Sequence, residues 1–231
     1  MGGENTFDLP LFPLNVVLFP GMLLPLYIFE PRYRAMVHDT MQGTQSFGVA
    51  LIAEGMQEND MHVAPRKIGT VAKIAQLQHL DDERMNLWVV GAEKIEIVRY
   101  APCDDNYLVG QVRVLHDMPG DAPAFDAQIA SLRQTFRTYI ELKLEVNAHD
   151  PHSVEYQFSG EPESFSYQIA SLLDISLAEK QILLEMDDVS ARLNRESEIL
   201  TREIDHLQEL LKTHLLPKTQ TLPWGGEVNL N

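Results

Sequence analysis

His149-Asp150-Pro151-His152, with Glu155 close behind, is the grouping in this 231-residue chain that comes nearest to a metal site. Zinc needs its imidazole and carboxylate ligands to converge, most simply from one helical face at i and i+4. Pro151 breaks that geometry, and the two histidines sit in a polar loop, so solvated side chains are expected and no metal. Cys103, the single thiol, lies between Pro102 and Asp104-Asp105. Nearby carboxylates raise a thiol's pKa and oppose the thiolate that a nucleophile requires, so an inert cysteine is expected. One cysteine also excludes an internal disulfide framework and zinc clusters built on several thiolates. The chain has no GxxxxGK[ST] to cradle a nucleotide's phosphates, and no GxGxxG, GxSxG or HExxH. Its serines and lysines are scattered. No catalytic residue, cofactor or metal is expected.

Charge narrows the partners. Thirty-four acidic against 18 basic residues give a formal net charge of −16, and Arg66-Lys67 is the densest basic run. Phosphate backbones and anionic lipid are bound chiefly by neutralising them, so neither nucleic acid nor a membrane surface is an expected partner. Sparse cysteine suits a reducing, cytoplasmic compartment.

The elements begin with LPLFPLNVVLFPGMLLPLYI, Leu9–Ile28, which carries one polar side chain, Asn15, and no charge. Its length would cross a bilayer as a helix. Pro10, Pro13, Pro20 and Pro25, with Gly21, forbid that helix, each interior proline costing about 3 kcal/mol. No Lys or Arg precedes Arg32, so the positive leader of a secretory signal is missing as well. Short buried strands and turns are expected. Pro31 then suits a helix start, with Tyr33, Met36, Val37, Thr40 and Met41 as the buried stripe and Gly43 as the stop. From Phe47 to Leu115 the pattern is β: Phe47–Ala53, Ile68–Leu77, Leu87–Val90, Lys94–Val98 and Val109–Leu115, with turns at Asp81–Glu83 and Gly91–Glu93. Short strands at this spacing imply a small barrel or rolled sheet.

His116–Asp121 marks a boundary, beyond which the period is helical. Phe125, Ile129, Leu132, Phe136 and Ile140 lie on one long helix, and Phe165, Ile169, Leu172 and Leu173 on a second. Ser176-Leu177-Ala178-Glu179 is a capping box opening a third. Asp187-Asp188 break it and cap a fourth, whose Val189, Leu193, Leu200, Ile204, Leu207 and Leu211 make a seam interrupted at Glu196 or Ser197. Pro217–Asn231 is expected to be a mobile tail.

The opening stretch, continued to LPLFPLNVVLFPGMLLPLYIFEPRYRAM, resembles the N-terminal substrate-binding domain of Lon proteases. The likeness rests on Leu9–Leu14, Leu18–Gly21, Leu24–Leu26 and Ile28–Arg34, then on Ile68–Ile74, Val89–Gly91, Glu179–Glu185 and Arg192-Leu193. Departures are local: Asp81–Asn86 lacks the family's glycine turn, Ile95 stands where an aromatic is common, and Tyr107 trails Pro102. The resemblance implies an α+β fold, with a PUA-like pseudo-β-barrel over 6–118, a helical subdomain with a long last helix over 119–213, and a tail over 214–231. In the complete proteases this unit captures substrate proteins and precedes an ATPase and a Ser–Lys peptidase, neither of which is written in these residues. A non-enzymatic recognition module is expected, binding polypeptides with exposed apolar segments as an adaptor or regulator beside a separate ATP-dependent protease.

Two sets of residues are candidates for contact. Tyr27, Phe29, Glu30, Arg32, Tyr33 and Arg34 join strand to helix; the aromatics read as core before ligand contacts, and Glu30 with Arg32 or Arg34 as a structural ion pair. Leu193, Leu200, Ile204, Leu207 and Leu211 would form a helix interface if the chain were instead a homo-oligomeric structural protein. A hydrolase hidden in a cleft between barrel and helices is the third alternative.

Overall fold

The computed structural model describes residues 6–53, 63–118, 122–147 and 157–215. His149–His152, Glu155 and Pro217–Asn231 lie outside them. Six strands come first: β1 (Thr6–Leu14), β2 (Leu23–Ile28), β3 (Ser46–Leu51), β4 (Ile68–His79), β5 (Met85–Pro102) and β6 (Leu108–Val114), with helix α1 (Pro31–Gln42) between β2 and β3. Four helices follow: α2 (Ala122–Val146), α3 (Pro162–Leu172), α4 (Leu177–Glu185) and α5 (Val189–Leu215). None is long and apolar enough to cross a membrane among the described residues. The chain divides into two compact units, Met1–Ile129 with Phe158–Glu196, and Ala130–Gln157 with Ser197–Asn231.

In the first unit the sheet order β2-β5-β4-β3-β1-β6 closes because β5 also pairs with β6. β1, β3, β4, β5 and β6 thus form a ring, antiparallel except for the parallel pair β1–β3, and β2 is appended to the first half of β5. Closure removes the ring's edges; β2 keeps one.

The register explains how β1 tolerates its prolines. A proline has no N–H for the ladder and belongs where a strand has a neighbour on one side only. β6 flanks residues 6–11 of β1 and β3 flanks 11–14, so Pro10 has β6 alone beside it and Pro13 has β3 alone. Pro25 lies on β2, whose only neighbour is β5. The greasy opening is therefore strand and turn, as its prolines require.

Two apolar clusters fill this unit. Leu9, Leu11, Ala50, Val71, Ile95, Ile97 and Val112 pack together from the ring strands. Phe12, Ile28, Phe47, Val49, Leu87 and Val89 pack on Tyr33, Met36 and Val37 of α1. Alternate residues of β1 serve the two clusters, as a period of two dictates.

One expectation fails. Gly91–Glu93 is no turn: β5 runs unbroken from Met85 to Pro102. Gly91 donates its N–H to the Met22 carbonyl (2.9 Å), and its own carbonyl accepts from Gly21 N–H (2.8 Å), where Gly21 holds φ at 79°. A Cβ on Gly91 would stand 2.1 Å from the Phe19 carbonyl oxygen. The glycine admits a passing backbone; it does not bend its own. Gly91→Ala is expected to cost about 3 kcal/mol through this overpacking, read as a lowered urea midpoint. A change below about 0.5 kcal/mol would show that the chain yields there freely.

The helix signals match their structures. Ser176 Oγ accepts the Glu179 N–H at 3.2 Å and donates to Glu179 Oε2 at 2.9 Å, so the box closes through the hydroxyl. Asp188 Oδ1 accepts the Ala191 N–H at 2.9 Å and caps α5.

Candidate functional site

The strand-to-helix joint divides the candidate residues by exposure. Tyr33 is buried on Phe12, their ring centroids 4.1 Å apart, with the Arg32 guanidinium 4.6 Å above it. Tyr27 and Phe29 are not core, against expectation: they are 48% and 57% exposed and stack on each other at 5.8 Å. Leu23, 58% exposed, continues the ridge along β2. The reason lies in the alternation: Leu24, Leu26 and Ile28 turn onto the cluster around α1, which leaves Leu23, Tyr27 and Phe29 on the opposite, uncovered face.

The charges here hold the joint. Glu30 pairs with Arg32 at 2.9 Å, while Arg34 reaches Glu83 in the turn between β4 and β5. That turn, Asp81–Glu83, lacks glycine yet puts Asp82 and Glu83 at φ 61° and 60°, left-handed values that cost an L-residue about 1 kcal/mol or more. From the same turn Arg84 donates to Tyr27 Oη at 2.8 Å. The ridge is thus two aromatic rings and a leucine, braced by arginine.

A second cluster, missed in the sequence, lies in the interior of the same unit. Lys94 of β5 places Nζ 2.6 Å from Asp117 Oδ1, 2.9 Å from Asp187 Oδ1 and 3.1 Å from the Met186 carbonyl. Arg192 of α5, wholly buried, sets Nη2 2.6 Å from Asp117 Oδ2, donates Nη1–H to the Met186 carbonyl and Nε–H to Ser166 Oγ, and lies 4.0 Å over the Tyr167 ring. Tyr167 donates its hydroxyl to Asp117, and Ser166 donates to Glu196 Oε1 at 2.7 Å. Two cations thus face two aspartates. Burial pushes the Asp117 carboxyl up, but the hydrogen bonds and charges of Arg192 and Lys94 outweigh it and hold the group below its usual range. Burial pushes Glu196 up to about 8, against the Ser166 hydrogen bond and the Arg192 charge. A protonated Glu196 leaves the cluster neutral at pH 7.

This cluster builds; it has no free chemistry. Lys94 Nζ has an acceptor for each of its three N–H groups, and the Ser166 hydroxyl is fully buried between Arg192 and Glu196. Neither is available as nucleophile or base. Among the described residues no three His, Cys, Asp or Glu side chains gather to hold a metal ion.

The helix candidates also separate. Leu193 and Leu200 are buried within the chain, and Ile204, Leu207 and Leu211 are half-buried. The break in their seam is Glu196, buried with Ser166.

Comparison with known proteins agrees with this architecture. The family described as the ATP-dependent protease La (LON) substrate-binding domain matches residues 8–202. Lon protease 2 of Herpetosiphon aurantiacus is 28% identical over 222 residues, which are 95% of this chain and 26% of that protein. Lon protease 2 of Myxococcus xanthus is 30% identical over 209 residues, 88% of this chain and 24% of its own length. The chain thus spans about a quarter of the length of these relatives. Among solved structures, the Lon N-terminal domain protein from Xanthomonas campestris matches with a TM-score of 0.61 at 27% identity, over 82% of this chain and 96% of that one. The N-terminal domain of the Mycobacterium avium complex Lon protease shares the fold, with a TM-score of 0.64 at 16% identity over 84% of this chain and 98% of its own. A match running from β1 into α5, through the ring, the exposed ridge and the buried ion cluster, places the chain in the Lon substrate-binding domain family.

Proposed function

We propose that this protein is a non-catalytic recognition module that holds polypeptides by exposed apolar segments, acting as an adaptor or regulator beside a separate ATP-dependent protease. The observation that carries the reading is the outward ridge of Leu23, Tyr27 and Phe29 on the uncovered face of β2. Rings half in water are surface that a partner can still cover. Burying the exposed part of each returns roughly 2 kcal/mol before the entropy of binding is subtracted. The family's name, substrate-binding domain, supports the same role. Pro25 removes one donor from β2, so side chains, more than added strand pairing, supply the contact.

Binding of a labelled, unstructured apolar peptide, followed by fluorescence anisotropy, tests this. Changing Tyr27→Ser and Phe29→Ser together is expected to weaken binding at least tenfold while leaving the urea midpoint within experimental scatter, since both rings are largely outside the core. Unaltered affinity in that folded double variant would remove the ridge from the proposal.

A further inference from the structure

Resting on that reading, we propose that Arg84 and Tyr27 form a carboxylate-binding corner, so that the ridge selects polypeptide C-termini ending in an apolar residue. Arg84 is held in place without being used up. Its Nε–H donates to the Asp81 carbonyl at 3.2 Å and one Nη1–H to Tyr27 Oη at 2.8 Å. Its Nη2 stands 3.7 Å from Asp82, a carboxylate 86% exposed, too distant for a firm bond and well solvated. Among the described residues nothing else accepts the second Nη1–H or stands closer to Nη2, and the Arg84 side chain is 44% exposed. The Tyr27 hydroxyl, having accepted from Arg84, has its own proton to give, and no acceptor takes it among the described residues. Two donors thus converge beside a stacked pair of rings. The last register pair between β2 and β5 is Ile28–Met85, and Phe29 and Arg84 are the next residue on each strand's side of it.

A planar guanidinium with an adjacent hydroxyl matches a carboxylate. Charge decides where that carboxylate comes from. Asp81, Asp82 and Glu83 flank Arg84, all exposed, and the chain as a whole carries −16. Each further Asp or Glu on the bound segment adds repulsion from these groups, so a single carboxylate is the most this corner admits. The α-carboxylate is the one anion a polypeptide brings with no acidic residue, and its last side chain falls within reach of the rings.

The test compares one labelled apolar peptide in three forms against the full chain: free C-terminal acid, C-terminal amide, and amide with an aspartate two residues inside. The free acid is expected to bind about fivefold tighter than the amide, as suits a partly solvated charge-assisted pair. In Arg84→Gln the ratio of the two affinities should fall to within twofold, and in Tyr27→Phe, which keeps the ring, it should shrink. Equal affinities for acid and amide overturn the inference, and so does an internal-aspartate peptide that binds as well as the free acid. If none of the three binds, the polypeptide-recognition reading itself has failed, a result distinct from either.

Discussion

Asp117→Ala is expected to lower the unfolding free energy by about 3–5 kcal/mol, an effect in the far tail for a single substitution. Asp117 is the hub of the interior cluster. Its side chain, 1% exposed, is the ion-pair partner of Arg192, faces Lys94 at 2.6 Å, and accepts the Tyr167 hydroxyl. Taking it away leaves a fully buried guanidinium without an anion. The stability lost is that of a stranded charge, larger than the net worth of the intact pair. Asp187→Ala is the matched control. Asp187 sits 2.9 Å from the same Lys94 nitrogen but is 52% exposed, so water already screens the pair and its removal should cost no more than about 1 kcal/mol. Urea unfolding of both variants at one pH decides. Similar losses in the two would mean that proximity, and not burial, sets the energies here.

The same cluster shows where the sequence can be read and where it cannot. Local signals were legible: the α1 stripe, the Ser176–Glu179 box, the Asp188 cap, and the prolines that made Leu9–Ile28 strand and turn. Each depends on residues a few positions apart or on the chemistry of one residue. Asp117 sat in what read as a linker because its partners, Lys94, Tyr167 and Arg192, lie 23 to 75 positions away, and no periodicity couples them. One mark was visible. Glu196 stood as a flaw in an apolar seam, and a buried acid needs a partner; the flaw was a pointer to Ser166. Gly91 misled because a glycine between apolar runs has two uses, a turn or a close approach, and only the neighbouring Phe19 backbone distinguishes them. β2 hid its faces for another reason. Leu23, Pro25 and Tyr27 alternate with Leu24, Leu26 and Ile28, so both sides are apolar and no pattern says which is wet. The ridge became visible only once Leu24, Leu26 and Ile28 were seen to pack on the cluster around α1.

Glu196→Gln is expected to change the shape of the stability–pH curve more than its height. In the folded chain Glu196 titrates near 8, pushed up by burial, with Ser166 and Arg192 opposing; unfolded, it returns to about 4.5. Between those values the native chain holds a proton that the unfolded chain has released. Stability from this group is therefore complete below about pH 4.5 and drains away at about 1.4 kcal/mol per pH unit until the folded group ionises. Asp117 works in the other direction: its folded carboxyl is held low, so its contribution is present above about pH 4 and lost on further acidification. Together the two place their shared maximum on the acid side of neutrality. Glutamine imitates the protonated acid, keeping an oxygen for the Ser166 hydroxyl, and cannot ionise. The variant should match the natural chain near pH 5 and exceed it by several kcal/mol at pH 8.5, with the descending limb between flattened. Parallel curves for the two proteins would show that Glu196 is already ionised at pH 7, and that the balance of two cations against two aspartates is not what makes this interior tolerable.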